Sequence, residues 1–448
     1  MKNNGIIIAS PSSGSGKTTI SLGIMLALKE RGYSVQPFKV GPDYIDPGYH
    51  TYVTGKKSEN LDTWMGSENT VKDIFTKRST GSDIAVIEGV MGLFDGRSEK
   101  SIRGSTAEIA KILKLPVIIV LDISSMGRTS AAIINGLKDM GNDIKIAGVI
   151  LNRAGSNYHC SIAKHSIETL SGIRVIGCIK KDDKLKLNSR HLGLIPFIEE
   201  YHSKEFLSYL SGKINSDINM DQLINISRKT ASLNYRLKEH KSRNTHVTIG
   251  VAYDKAFNFY YNENFDLLKK YGAKIEYFSP MDSNELPDID GIYIGGGFPE
   301  IYAEKLSSNK KFLYDIKSKI LSGMPVFAEC GGYMYLSKTI EMDNKKYDML
   351  GLINASVTLK GLTLGYRNIV SRDDNILFKK GMKIRGHEFH YSTIRYDNEN
   401  EYAYDVNVNA YDGYYNENIL AGYSHLYFPS NKKIPERFVK SCYIYSKR

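Results

Sequence analysis

At 448 residues the chain is too long for one ordinary core, so two domains are expected, with three still open. Its 42% hydrophobic and 24% charged residues are those of a soluble globular protein, and no apolar run reaches the roughly 18 residues that a membrane span needs. The formal charge of +11 is scattered along the sequence, which excludes a concentrated nucleic-acid patch and reads as a solvated lysine surface with some attraction for acidic small molecules.

The opening, MKNNGIIIAS, is too short in apolar residues for a secretory signal and runs directly into a strand, so the cytoplasm is the expected compartment. Gly5 to Ser10, Ser34 to Val40, Asp83 to Ile87, Pro116 to Asp122 and Ile146 to Leu151 have the continuous apolar character of buried parallel strands. Between them lie amphipathic stretches, Thr18 to Lys29 and Ser105 to Leu113, the second opened by a capping box, Ser105-x-x-Glu108. This alternation predicts a doubly wound α/β domain over residues 1–195. Polar helical segments rich in Lys, Ser and Asn then fill 196–245, read as linker and peripheral helix, and end in the charged run Lys238 to Arg243. A second α/β series occupies 246–448. Its strands are expected at Val247 to Ala252, Lys274 to Phe278, Gly291 to Ile294 and Pro325 to Phe327, with β-like stretches around Gly386 and Ala421. The four cysteines lie far apart without a C-x-x-C pair, so neither a zinc site nor a disulfide framework is expected.

Ser10-Pro-Ser-Ser-Gly-Ser-Gly-Lys-Thr-Thr19 stands where the first strand hands over to the first helix. Backbone N–H groups of such a loop, through Gly14, Gly16 and Thr19, cradle phosphates; Lys17 neutralises the terminal phosphates and the Thr18 hydroxyl ligates Mg²⁺. The usual leading glycine is Pro11 here, and Ser12 stands where partition-type ATPases carry a signature lysine, which argues against a dimerising regulatory ATPase. Acidic residues follow the second and third long strands, in Gly41-Pro-Asp-Tyr-Ile-Asp46 and Glu88-Gly-Val-Met-Gly-Leu-Phe-Asp95. Such residues often only form turns, but several at consecutive strand ends above one phosphate loop point to ligands. Asp43 and Glu88 are the expected metal ligands, leaving Tyr44, Ile45, Asp46 and Asp95 nearer the substrate. Asn152, at the end of the fifth strand, is a candidate for the adenine edge; a turn cap is the other reading.

Cys330, in Pro325-Val-Phe-Ala-Glu-Cys-Gly-Gly332, has the layout of a nucleophile elbow: a short apolar strand, the Cys, two glycines, then a helical segment from Tyr333. A helix N-terminus there is expected to lower the thiol pKa. A lone Cys beside glycines is more often structural, but Gly295-Gly-Gly297 after another strand supplies backbone donors for an oxyanion, and Gly297 and Gly331 are the expected pair. His425 is the candidate base, with His387 and His390 as other candidates.

These blocks together resemble the cobyrinic acid a,c-diamide synthases, glutamine-dependent ligases that join a dethiobiotin-synthetase-like ATPase to a class I glutamine amidotransferase. The resemblance rests on PSSGSGKTT, FKVGPDYIDPGYH, IEGVMGLFDG, GSTAEIAK, RHLGL from Arg190, GGGFPE, AECGGYMYL and RGHEFHYS, and spans nearly the whole chain. It implies a P-loop parallel-sheet ATPase domain followed by an amidotransferase domain, with Cys330 as glutaminase nucleophile and His425 as its base. It also implies ATP with Mg²⁺, glutamine, and a polycarboxylated tetrapyrrole amidated on its a and c side chains; no nucleic acid or membrane partner is expected, and oligomeric state is not legible. The His-x-Glu of most class I amidotransferases is not met, because Tyr427 stands two residues after His425. Nickel-sirohydrochlorin a,c-diamide synthases share nearly every block. From another class, a regulatory P-loop ATPase with a degenerate amidotransferase module is the alternative.

Overall fold

Apolar runs buried on both faces make the first sheet. The computed structural model describes residues 4–141, 143–187, 189–190, 193–199, 203–231, 233, 235, 237, 246–398 and 401–448. It divides into two units, Met1–Lys238 and Glu239–Arg448. In the first, β1 (Gly5–Ala9) leads through the phosphate loop into α1 (Lys17–Glu30), followed by β2 (Val35–Val40), α2 (Ile45–Thr54), β3 (Glu59–Leu61) and α3 (Glu68–Ser79). Next come β4 (Ile84–Glu88), α4 (Thr106–Leu113), β5 (Val117–Asp122) and α5 (Ser130–Met140). β6 (Ile146–Ala154), α6 (Asn157–Ser171) and β7 (Val175–Lys180) complete a parallel sheet of order β3-β2-β4-β1-β5-β6-β7. β1 sits between β4 and β5, so its carboxyl end is the switch point where open α/β sheets take ligands. β3 and β7 escape a reading by apolar runs: β3 is three residues long and β7 is half-buried over Gly177 and Cys178.

Two local expectations need correction. Ser105 caps α4 by accepting the Glu108 N–H, but the Glu108 carboxylate takes the Gly104 N–H (2.7 Å) and the Thr63 hydroxyl instead of returning to Ser105. The capping box is half made. Cys160 and Cys178, expected to be unpaired, form a disulfide between α6 and β7, with Cα atoms 6.1 Å apart. Helix and strand are neighbours in the α/β winding, and that proximity is invisible in a count of cysteine spacings.

A short hairpin, β8 (Ser189–Arg190) and β9 (Gly193–Leu194), follows; His191 and Leu192 of the RHLGL block lie outside the described residues, as do Lys238 to Arg243. α7 (Lys204–Asp217) and α8 (Met220–Arg228) then form, and α7 lies on α1. Gly23 of α1 permits this: any side chain there would collide with Leu210 and Ile214, both buried.

The second unit begins with β10 (Val247–Ala252), α9 (Asn262–Lys270), β11 (Ala273–Phe278), β12 (Gly291–Ile294), α10 (Ala303–Ser308), α11 (Lys310–Leu321), β13 (Val326–Glu329) and α12 (Gly331–Leu336). The chain continues through β14 (Ser337–Met342), β15 (Lys345–Asp348), β16 (Ile353–Ser371), β17 (Lys383–Tyr396), β18 (Tyr404–Val406), β19 (Ala410–Asp412), β20 (Tyr414–Tyr415), β21 (Ile419–Gly422), β22 (His425–Leu426) and α13 (Lys433–Tyr445). Two sheets result. One, of order β11-β10-β12-β13-β21-β20, is parallel except at β20. The other, β15-β14-β16-β17-β22, is mainly antiparallel and is far larger than the β-like stretches the sequence suggested. Among the described residues, no helix is long and apolar enough to cross a membrane.

Candidate active sites

The first site gathers at the carboxyl ends of β1, β2 and β4. Gly14 and Gly16 hold left-handed backbones (φ 78° and 91°), which turn the loop so that α1 starts at Lys17. A cavity of about 540 Å³ opens beside them, lined by Gly14, Gly16, Thr18, Thr19, Asn152 and Lys181 among others. Asn152 borders it, but its amide is committed to the loop: Nδ2 donates to the Ser15 carbonyl at 2.9 Å. Lys17 Nζ donates to Ser10 Oγ (2.7 Å), the Met91 carbonyl (2.7 Å) and the Ser12 carbonyl (3.1 Å). Burial, and then the nearby charge of Lys39, lower its pKa to about 8.

Glu88 is the hub. It is fully buried, and its Oε1 accepts from Thr18 Oγ1 at 2.6 Å and from Lys39 Nζ at 2.8 Å. Its Oε2 meets His50 Nε2 at 2.7 Å, and His50 Nδ1 lies 3.2 Å from Ser58 Oγ. Burial works against its ionisation, but Lys39 and His50 overcome this and hold the carboxyl well below the usual range. Lys39 also pairs with Asp46 and lies 3.9 Å from Asp43 Oδ2. The other Asp43 oxygen accepts the Ile45 and Asp46 N–H groups and opens α2. Tyr44 is half-buried just before that helix, Ile45 is buried as its first residue, and Asp95 is exposed, its Oδ2 accepting the Gly92 N–H at 2.8 Å. Lys39, His50 and Ser58 were not anticipated. A lysine ending an otherwise apolar buried strand was the only available signal, and the register that sets Lys39 opposite Glu88 is not in the sequence pattern.

Among the described residues, no group of three or more His, Cys, Asp and Glu side chains is arranged to hold a metal by itself. That fits Mg²⁺, which keeps water and phosphate oxygens and takes one or two protein carboxylates. Thr18 and Glu88 bring two hard oxygens together beside the phosphate loop, so this donor set suits the ion.

The second site lies where β13 turns into α12. Cys330 has φ 49° and ψ −104°, a strained backbone for a residue with a side chain, and such outliers gather at functional sites. Its N–H donates to the Gly422 carbonyl at 2.8 Å, and its sulfur lies 3.7 Å from the Phe389 carbonyl. Gly296 leaves open the space between Cys330 and His425: a methyl group there would sit 3.4 Å from Cys330 Cβ and 3.0 Å from His425 Nε2. Gly297 (φ 148°) could carry no side chain, since it would strike the Ala256 carbonyl. A methyl on Gly331 would fall 3.2 Å from the Gly297 nitrogen, so the two expected oxyanion donors are neighbours. Of the other histidines, His387 pairs with His425 across β17 and β22, while His390 Nδ1 lies 2.9 Å from the Ser392 carbonyl and its ring stacks on Tyr423.

The expected low thiol pKa is overturned. Burial pushes the Cys330 thiol far up, Glu300 and Glu388 add to this, and only the Gly331 N–H on the sulfur opposes it. α12 is just six residues long, too little dipole to offset complete burial. Burial, with His387 and His390 nearby, lowers His425 to about 3 against the pull of Glu388. The resting pair is therefore a neutral thiol and a neutral imidazole. Glu388 accepts from Arg367 Nε (2.8 Å) and Ser424 Oγ (2.7 Å) and borders a cavity of about 490 Å³ with Tyr333, Arg367, His390 and Tyr423.

Residues 6–195 match the CobQ/CobB/MinD/ParA nucleotide binding domain, and residues 248–433 the CobB/CobQ-like glutamine amidotransferase domain. The cobyrinate a,c-diamide synthase of Picrophilus torridus is 54% identical over 99% of this chain and 100% of its own. The chain belongs to the cobyrinate a,c-diamide synthase family. Proteins of the same name from Thermoplasma volcanium (43%, covering 100% of this chain and 99% of theirs) and Priestia megaterium (42%, covering 99% and 98%) agree with it. As a family member it is a glutamine-hydrolysing carbon–nitrogen ligase that uses ATP.

Proposed function

We propose that this enzyme amidates the a and c carboxylates of cobyrinate, using ATP and glutamine, in the cytoplasm. The observation that carries the reading is full-length identity of up to 54% to proteins of that name, across both the nucleotide-binding and the amidotransferase regions. In the amidotransferase region, Cys330 attacks the carboxamide carbon of glutamine while His425 accepts the thiol proton. The Gly297 and Gly331 N–H groups hold the oxyanion, ammonia leaves with the proton from His425, and water then hydrolyses the thioester to glutamate. The space at Gly296 is what lets thiol and imidazole face each other.

In the nucleotide-binding region, Gly14, Gly16 and Thr19 offer backbone N–H groups to the phosphates, Lys17 neutralises them and Asn152 borders the base. Thr18, Asp43 and Glu88 would hold Mg²⁺, which when bound supplies charge neutralisation at the phosphates. The γ-phosphoryl group passes to a substrate carboxylate oxygen, giving ADP and an acyl phosphate. Ammonia then attacks the acyl carbon and phosphate departs, leaving the amide. A carboxylate is unreactive toward amines, and phosphorylation supplies the leaving group. Tyr44, Ile45, Asp46 and Asp95 stand nearest the acceptor arm in this reading.

Incubation with ATP, Mg²⁺ and glutamine against cobyrinate, hydrogenobyrinate and nickel-sirohydrochlorin, read by mass spectrometry, tests the substrate. Diamide from cobyrinate is expected, and diamide from nickel-sirohydrochlorin alone refutes the assignment. Cys330→Ala should abolish glutamine-supported amidation and keep activity with high ammonium; loss of both in a folded variant overturns the division of labour.

A further inference from the structure

The nucleophile and the base stand on different sheets. Cys330 follows β13 of the parallel sheet, and His425 begins β22 of the antiparallel one. Backbone pairing alone therefore does not fix their separation, and no His-x-Glu carboxylate follows His425 to steer it. A buried carboxyl group bridges this gap. Glu329, the residue before Cys330, accepts the N–H of Leu426, the residue after His425, at 2.6 Å. Its other oxygen accepts the hydroxyl of Tyr293, from the neighbouring strand β12, at 2.6 Å. Asn264 of α9 completes the brace: Nδ2 donates to the Leu426 carbonyl at 2.8 Å and Oδ1 accepts the Phe428 N–H at 2.9 Å.

We infer that Glu329 is a positioning residue for the glutaminase, tying the strand of Cys330 to the strand of His425 through the Leu426 backbone. The inference rests on the reading of Cys330 and His425 as the reacting pair. Glu329 touches neither the sulfur nor the imidazole by any hydrogen bond in the structure, so its action is geometric. Its environment agrees: burial raises the carboxyl to about 8 against the bonds from Tyr293 and Leu426, so length and hydrogen-bonding capacity matter more than charge. A glutamine side chain has both. Its oxygen can take the Leu426 N–H and its amide can face the Tyr293 oxygen. An aspartate keeps the charge but is one methylene too short to span the two sheets.

The test separates reach from charge. Glutaminase kcat and KM, with ammonium-supported amidation as a control for folding, are measured for Glu329→Gln, Glu329→Asp and Cys330→Ala. The brace predicts that Glu329→Gln stays near wild type. It predicts that Glu329→Asp loses on the order of 10²-fold in glutaminase kcat, the cost of misplacing a catalytic group by about 1 Å, with little change in KM for glutamine and intact ammonium activity. The reverse order, Asp active and Gln dead, would show a proton-transfer or charge role and overturn the inference, as would two variants indistinguishable from wild type. Should Glu329→Asp fail to fold, the same prediction falls on Glu329→Gln: wild-type kcat supports the brace and a collapse in kcat refutes it. Retained glutaminase in Cys330→Ala would instead overturn the underlying reading, whatever the Glu329 variants do.

Discussion

Replacing Gly296 with alanine puts one methyl group into the space between thiol and imidazole. The backbone there is not in the left-handed region, so alanine is conformationally acceptable and any effect comes from the methyl itself. That methyl would sit 3.0 Å from His425 Nε2, in closer overlap still with Cε1, and 3.4 Å from Cys330 Cβ. The Cys330 contact is ordinary; the His425 contact is not. The imidazole has to yield, and at 1% exposure, with His387 alongside on the adjacent strand, it has little room to do so. Relief needs a shift on the order of 1 Å, which in a catalytic pair costs roughly 10²-fold in rate. Overpacking adds about 1–3 kcal/mol of lost stability. The expected result for Gly296→Ala is glutaminase reduced about a hundredfold, ammonium-supported amidation kept, and a modest fall in melting temperature. Gly297→Ala is the contrast: with φ 148° and the Ala256 carbonyl in the way, it should destabilise the fold more. Wild-type glutaminase in a Gly296→Ala protein of unchanged stability would show that Cys330 and His425 do not work across this space.

Lys17→Ala should remove amidation with both glutamine and ammonium, since no acyl phosphate can form; residual ammonium-supported activity near wild type would move phosphate neutralisation to Lys39. Glu88→Gln keeps an acceptor for Thr18 but leaves Lys39 short of a buried counter-charge. It should raise the Mg²⁺ requirement and cost stability, about 3–5 kcal/mol by the measure of broken buried pairs, seen in urea melts. Normal metal dependence with lowered stability would make Glu88 purely structural. Ile45→Ala, at the start of α2 beside Asp43 and Asp46, should shift the ratio of mono- to diamide with little change in KM for ATP; an unaltered time course by mass spectrometry moves acceptor selection elsewhere, to Asp95 first.

Strand–loop–helix units were legible because each is local. The apolar GIIIA before GSGKTT, and VFAE before CGG, specify a buried strand and a turn within ten residues, with no distant partner needed. Contacts set by topology were not. His50 meets Glu88 across 38 residues and Glu329 meets Leu426 across 97, and nothing in either segment points to the other. The long ribbon of β16 and β17 was hidden for a different reason. Leu359, Leu362 and Leu364 are exposed in its middle and a register shift falls between Leu359 and Thr363, so apolar alternation fails where the strand is longest. The thiol was misjudged because sequence shows a helix after Cys330 but not the burial around it. Burial outweighs a six-residue dipole.

That burial changes how the glutaminase must work. A thiolate formed in advance would need a charged imidazole beside it, yet burial raises the thiol and lowers His425 to about 3, so the ion pair is disfavoured from both sides. The proton then moves from Cys330 to His425 as the sulfur bonds to the carboxamide carbon, when the developing negative charge leaves sulfur for the oxygen held by backbone N–H groups. The Gly331 N–H, which leans on the sulfur at rest, is free to follow the charge to that oxygen. This arrangement keeps the nucleophile unreactive until a carboxamide fills the site. Iodoacetamide, which needs only thiolate, should therefore alkylate Cys330 slowly, with a rate rising about tenfold per pH unit and no plateau up to roughly pH 10. A chloroketone analogue of glutamine, which occupies the carboxamide position, should react fast near neutral pH. Mass spectrometry of the Cys330 peptide, with Cys442 as an internal buried thiol, reads both rates. A plateau for iodoacetamide near neutral pH would reveal a preformed thiolate and refute the neutral resting pair.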